Sequence, residues 1–162
     1  MIRVVPYILY ALLIAAWQVM FKDLTSIFGA AINLSAMVVL LVALFKSEVT
    51  AAWFGFVVGL VLAVGAPSIM GWHALFLALL GIVGYQVRER LNLEASYSKE
   101  LFVLGGVLVH NIFLVLIETS TGVFHLIWSQ ALTGAVYTAV IAWLFFTIKE
   151  GRITRERVRS VF

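Results

Sequence analysis

Charge placement constrains this chain more than any other feature of its sequence. The eight acids and eleven bases gather in short stretches and leave apolar runs of about 18 to 22 residues, the length at which an α-helix crosses a ~30 Å hydrocarbon core. Composition agrees. Of 162 residues, 64% are hydrophobic and 12% charged, with a mean hydropathy of +1.10, whereas globular domains are roughly half apolar and a quarter charged. A soluble enzyme domain is excluded on these grounds. The absence of cysteine removes disulfides, thiolate metal sites and thiol nucleophiles. The net charge of +3 would suit nucleic acid, but the excess bases sit at loops and at the tail, where membrane topology accounts for them more simply.

Hydropathy punctuated by charge predicts six membrane helices. The first covers about Val4 to Phe21, with Pro6 tolerated in its first turn. The second covers Ser26 or Ile27 to Phe45 and the third, a short one, Thr50 to Val64, closed by Gly65-Ala66-Pro67-Ser68. The fourth covers Met70 to Gln86, the fifth Leu101 to Glu118 and the sixth Leu126 to Ile148, with a polar connection from Arg88 to Glu100. The expected fold class is thus an all-α integral membrane bundle of six helices in one domain, 1–148. A basic tail, 149–162, would follow it. The first run is read as a retained helix, being long for a leader and lacking an A-x-A cleavage site.

Six spans place every one of the eleven bases except Lys22 on one side of the membrane. By the positive-inside rule that side is cytoplasmic and carries both termini. The five tryptophans fit independently, since indole prefers the interface: Trp17, Trp72 and Trp128 fall towards the outer ends, Trp53 and Trp143 towards the cytoplasmic ends. The tail bases Arg152, Arg155, Arg157 and Arg159 are expected to meet anionic headgroups, at about 1 kcal/mol each near the surface. A solvated topogenic tail is the competing reading.

Polar residues inside the spans are few. His110, Asn111 and Glu118 share one face of the fifth span, because seven residues make two helical turns. On the sixth, which also carries Ser129 and Thr138, Gln130, Thr133 and Tyr137 follow the i, i+3, i+7 spacing of a single face. The two stripes are expected to face each other and hydrogen-bond; a proton relay or a ligand site is the alternative. Gln18, His73, Glu118 and His125 include the ingredients of a metal site, but they come from separate elements and loop-end polarity explains them equally, so no metal or cofactor is expected. Gly55-Phe56-Val57-Val58-Gly59, with Ala63 one turn on, is a G-x-x-x-G pattern extended by a third small residue. It suits close approach either to a neighbouring span or to a partner helix. No catalytic fingerprint occurs in the chain.

Asn33-Leu34, the helix ending Ala43-Leu44-Phe45-Lys46, the segment Trp53 to Leu60 and the step Met70-Gly71-Trp72-His73-Ala74-Leu75 together resemble the rod shape-determining protein MreD family. The likeness covers residues 32–90 in motif and the whole chain in length and topology. The chain departs from the family at Ala63, where an acid is usual, and at Ile32-Asn33, where proline and aspartate are frequent. The resemblance implies a non-enzymatic plasma-membrane scaffold of the bacterial cell-elongation complex. Its direct partner would be the bitopic protein MreC, with the MreB cytoskeleton and the peptidoglycan synthase pair reached through it. It also implies a fold similar to the substrate-binding subunits of energy-coupling-factor transporters. Hence the alternative function is a vitamin binder with its site near Trp17, Trp72, His73, Glu118 and Trp128.

Overall fold

A computed structural model describes residues 7, 10, 13–14, 16–17, 32–64, 67–91, 95–118 and 127–149. Tyr7, Tyr10, Leu13, Ile14, Ala16 and Trp17 lie in helical backbone. Beyond them come α1 (Leu34–Phe45), α2 (Glu48–Leu62), α3 (Pro67–Arg90), α4 (Ser96–Glu118) and a π-helical stretch, Ile127–Leu132, that runs into α5 (Thr133–Lys149). The described residues contain no β-strand. Three stretches are long and apolar enough to cross a membrane: Pro67–Arg90, Tyr97–Ile117 and Ser129–Lys149. The chain is therefore a multi-pass membrane protein. The tail bases Arg152, Arg155, Arg157 and Arg159 lie outside the described residues, as does most of the expected first span.

The expected second span, Ser26 or Ile27 to Phe45, needs correction. Ile32 and Asn33 are non-helical and the helix starts only at Leu34. The break follows from Asn33, whose side-chain oxygen accepts the Ala36 N–H at 3.0 Å and so terminates the helix as an N-cap. What remains, α1, has 12 residues, about 18 Å at 1.5 Å per residue. It is apolar all round, and Ala36, Val39, Leu40 and Ala43 are each 1% exposed or less. Such a helix belongs at the centre of a bundle, and α1 indeed contacts α2, α3, α4 and α5.

Ser47 caps α2, receiving the Thr50 N–H, with Glu48 in the first turn favourable to the helix dipole. Pro67 opens α3 at the position where a missing N–H is harmless. Both α3 and α4 run further than the apolar stretches predict, to Arg90 and back to Ser96. Arg88, Arg90, Lys99 and Glu100 therefore extend helices into the interface instead of forming a loop, since water there solvates charge without unwinding backbone.

α2 and α3 form an antiparallel hairpin, and its seam is made of the predicted glycines. A Cβ added at Gly55 would collide with the Leu77 carbonyl; one at Gly59 would lie 2.5 Å from the Ala74 Cα and the His73 oxygen. From the opposite helix, a Cβ at Gly81 would lie 2.6 Å from the Ala51 oxygen. Residues 51, 55 and 59 thus meet 81, 77 and 74 in backbone contact, the small-residue packing that substitutes for the hydrophobic effect in lipid. Ala63, 3% exposed, sits in the turn that ends α2. Of the two readings of this motif, the neighbouring span occupies the seam.

Candidate functional site

The polar residues of the interior converge on Asn33. Its Oδ1 accepts from the Ala36 N–H at 3.0 Å and from the Ser35 hydroxyl at 2.7 Å. Its Nδ2 donates to Asn111 Oδ1 at 2.7 Å and lies 3.0 Å from His110 Nδ1. The backbone N–H donates to Thr138 Oγ1 at 3.0 Å, and the carbonyl receives the Met37 N–H at 3.1 Å. Every donor and acceptor that an asparagine possesses is thereby engaged. One residue, 7% exposed, joins the start of α1 to α4 and α5.

The network also fixes atom identities. Two donors converge on Asn33 Oδ1, so the other amide atom must be nitrogen, which only donates. His110 Nδ1 is then an acceptor, and the ring is the neutral tautomer with its proton on Nε2. His110 is buried at 3% exposure. Asn111 continues the chain: its Nδ2 donates to the Ala131 carbonyl at 3.2 Å, within the π-helical stretch. Thr138 Oγ1 in turn donates a hydrogen bond to the Gly134 carbonyl at 2.7 Å. Two interruptions of regular helix, at residues 32–33 and 127–132, thus meet at one place. Irregular backbone at membrane depth is tolerated only where protein satisfies it, and this cluster does so.

The expected stripes meet only in part. His110 and Asn111 face inward as predicted. The last helix reaches Asn111 through the Ala131 carbonyl and Asn33 through Thr138. Gln130 and Thr133 are exposed, Tyr137 is half-buried, and the Thr133 hydroxyl bonds the Ser129 carbonyl of its own helix. The buried face is Ala131, Gly134, Ala135, Thr138, Ala142 and Phe146, because small side chains permit the approach that glutamine and tyrosine would prevent. Glu118 ends α4, and its side chain lies outside the description. Among the described residues no three His, Asp or Glu side chains are placed to hold a metal.

The other end of α1 is held by a residue read above only for topology. Arg88 Nη1, on α3, lies 3.1 Å from each of the Ala43, Leu44 and Lys46 carbonyls, while Nη2 pairs with Glu89 at 2.7 Å. A guanidinium is matched to the orphan carbonyls and negative dipole end of a helix C-terminus. It also lies 4.6 Å from the centre of the Tyr85 ring. Nearby, the Lys149 ammonium sits 3.1 Å over the Phe45 ring, fastening the end of α5 to the end of α1. Asn33 had a local signature, an Asn-x-Ser within an apolar run. Arg88 had none, since its partners lie more than 40 residues away.

Compared with protein-family models, curated proteins and solved structures, the chain gives no significant match to any of them.

Proposed function

We propose that this protein is a non-enzymatic membrane scaffold that presents a rigid helical body to transmembrane partners, as a subunit of the bacterial cell-elongation complex. The observation that carries this reading is the central helix α1, whose N-cap Asn33 is bonded to side chains of α4 and whose C-terminal carbonyls are held by Arg88 of α3. The amide of Asn33 is committed to internal bonds on both of its atoms, and that suits a part that holds shape better than one that turns over substrate. The resemblance of residues 32–90 to the MreD family supplies the named setting: the bacterial inner membrane with both termini cytoplasmic, an MreC-like bitopic protein as direct partner, and an MreB-like cytoskeleton with the peptidoglycan synthase pair reached through it. Co-purification of the full chain with its MreC-like partner in mild detergent tests this, alongside depletion in cells. Loss of rod shape together with a stable complex is expected; normal cell shape on depletion would overturn the reading.

One observation favours the alternative of a vitamin-binding subunit. A helix N-terminus buried beside irregular backbone is the arrangement with which transporters bind ligands at mid-membrane. Here the Asn33 amide fills that position with the chain's own side chain. A stoichiometric small molecule in the native mass spectrum would nevertheless reverse the ranking.

A further inference from the structure

The α3–α4 side of the bundle is built differently from the α2–α3 seam. Leu40 of α1 wedges between Gly84 and Gly106: a Cβ at Gly84 would lie 3.3 Å from Leu40 Cδ2, and one at Gly106 would lie 2.6 Å from Leu40 Cδ1. The wedge holds α3 and α4 apart along their charged ends. An apolar groove of about 560 Å³ results, with Leu40 as floor and Val83, Val87, Leu101, Gly105 and Val109 among its walls. Gly105 has nothing within 4 Å of where a Cβ would stand.

We propose that this groove is a binding site for one acyl chain of an anionic phospholipid, whose headgroup sits at the charged end of the bundle beside Arg90. Length is the first argument. Along α3 and just past its end the groove runs from Leu80 to Leu91, and on α4 from Ser98 to Val109, eleven residue steps each, or about 16 Å. That is one leaflet of a ~30 Å core.

Beyond it the gap narrows. Trp72, Phe76 and Phe113 stack in series, with ring centroids 5.8 and 4.8 Å apart, and a smaller hollow of about 260 Å³ beside Phe76 and Phe113 continues the groove. A partner's transmembrane helix crosses both leaflets and would meet this aromatic barrier halfway. An acyl chain ends there.

Charge is the second argument. All described charged side chains lie at the groove's open end: Lys46, Arg88, Arg90, Lys99 and Lys149 against Glu48, Glu89 and Glu100. Arg88 is occupied by the α1 carbonyls, whereas Arg90 is exposed, one turn beyond the lining residue Val87. Ser98 adds a hydroxyl to the same end of the wall. The site does not depend on the scaffold reading.

The test reconstitutes the full chain in nanodiscs of equal phosphatidylglycerol and phosphatidylcholine, followed by mild extraction and native mass spectrometry. One retained phospholipid per chain is expected, with phosphatidylglycerol favoured about fivefold, the effect of roughly one base near a headgroup. Gly105→Phe and Val87→Phe fill the groove and should each lower retention about tenfold or more with unchanged thermal unfolding. Arg90→Gln should keep retention and erase the preference for phosphatidylglycerol. Wild-type retention in both folded groove variants would overturn the proposal. So would equal retention of the two lipids by the wild type, a preference undiminished in Arg90→Gln, or a second copy of the chain in place of lipid. Arg90 lies at the surface, so that variant decides even if both filled variants fail to fold.

Discussion

Helix α3 has two working faces, and they use glycine for opposite ends. Towards α2, Gly81 meets Ala51 while Gly55 and Gly59 meet Leu77 and Ala74, all in backbone contact with no room for a methyl group on the glycines. Towards α4, Leu40 fills the space between Gly84 and Gly106, and Gly105 borders an open groove. The first face is closed by the absence of side chains. The second is kept open by one large side chain inserted from behind. In lipid, where apolar surface gains little by hiding from more apolar surface, residue size and placement decide which helix pairs close. A G-x-x-x-G match alone does not distinguish the two outcomes.

Breaking the closed face should have the largest effect. Gly59→Leu forces α2 from α3 and should lower stability by about 3 kcal/mol or more, at or beyond the usual range for overpacking. Unfolding in a mixed-detergent titration measures it; wild-type stability would show that the helices are not in backbone contact. Next comes Asn33→Ala, which removes a cap worth ~1 kcal/mol and strands buried partners at about 1–3 kcal/mol. In Asn33→Asp the cap acceptor survives but both Nδ2 donors are lost, so the His110 ring should move its proton to Nδ1, a change visible in histidine ¹⁵N shifts. An unchanged tautomer would contradict the bonding scheme at Asn33. Arg88→Met should be milder, about 1–2 kcal/mol for the lost C-cap of a half-buried helix end, with increased amide exchange confined to the last turn of α1. Smallest, and opposite in sign, is Gly105→Ala on the open face. Nothing obstructs the methyl group, and the helix propensity of alanine should leave stability unchanged or raise it by up to ~1 kcal/mol. A loss there would mean that the space beside Gly105 is not open.

These contrasts show which parts of the structure were legible in the sequence. Helices α2 to α5 follow from runs of apolar residues because hydropathy is a local average and their ends are chemically marked. Gly55 and Gly59 announce close approach, though not to which neighbour. His110 and Asn111 stand out as polar residues within a span. The interruption at Ile32-Asn33 is hidden by the same averaging, since a single amide barely lowers the hydropathy of an apolar run. Its role depends on partners 77 to 105 residues distant. The inward register of the last helix is not legible from polarity, because its buried face is mostly small residues, Ala131, Gly134, Ala135, Thr138 and Ala142, whose size and not polarity decides the approach. Arg88 was visible only as a charge for topology, and its engagement with three carbonyls needs the α1 and α3 ends side by side.

The two caps of α1 also impose an order on biogenesis. The α2–α3 hairpin joins neighbours in sequence and can close as soon as both helices have entered the bilayer, because short loops close quickly. The bonds at Asn33 require Asn111 and Thr138, which emerge from the ribosome last. Until then the first half of the chain sits in the membrane with an unpaired amide and an exposed helix start, a natural target for quality-control proteases. A full-length chain with Thr138→Val should therefore insert normally and yet be shorter-lived in cells, because the Asn33 N–H loses its partner.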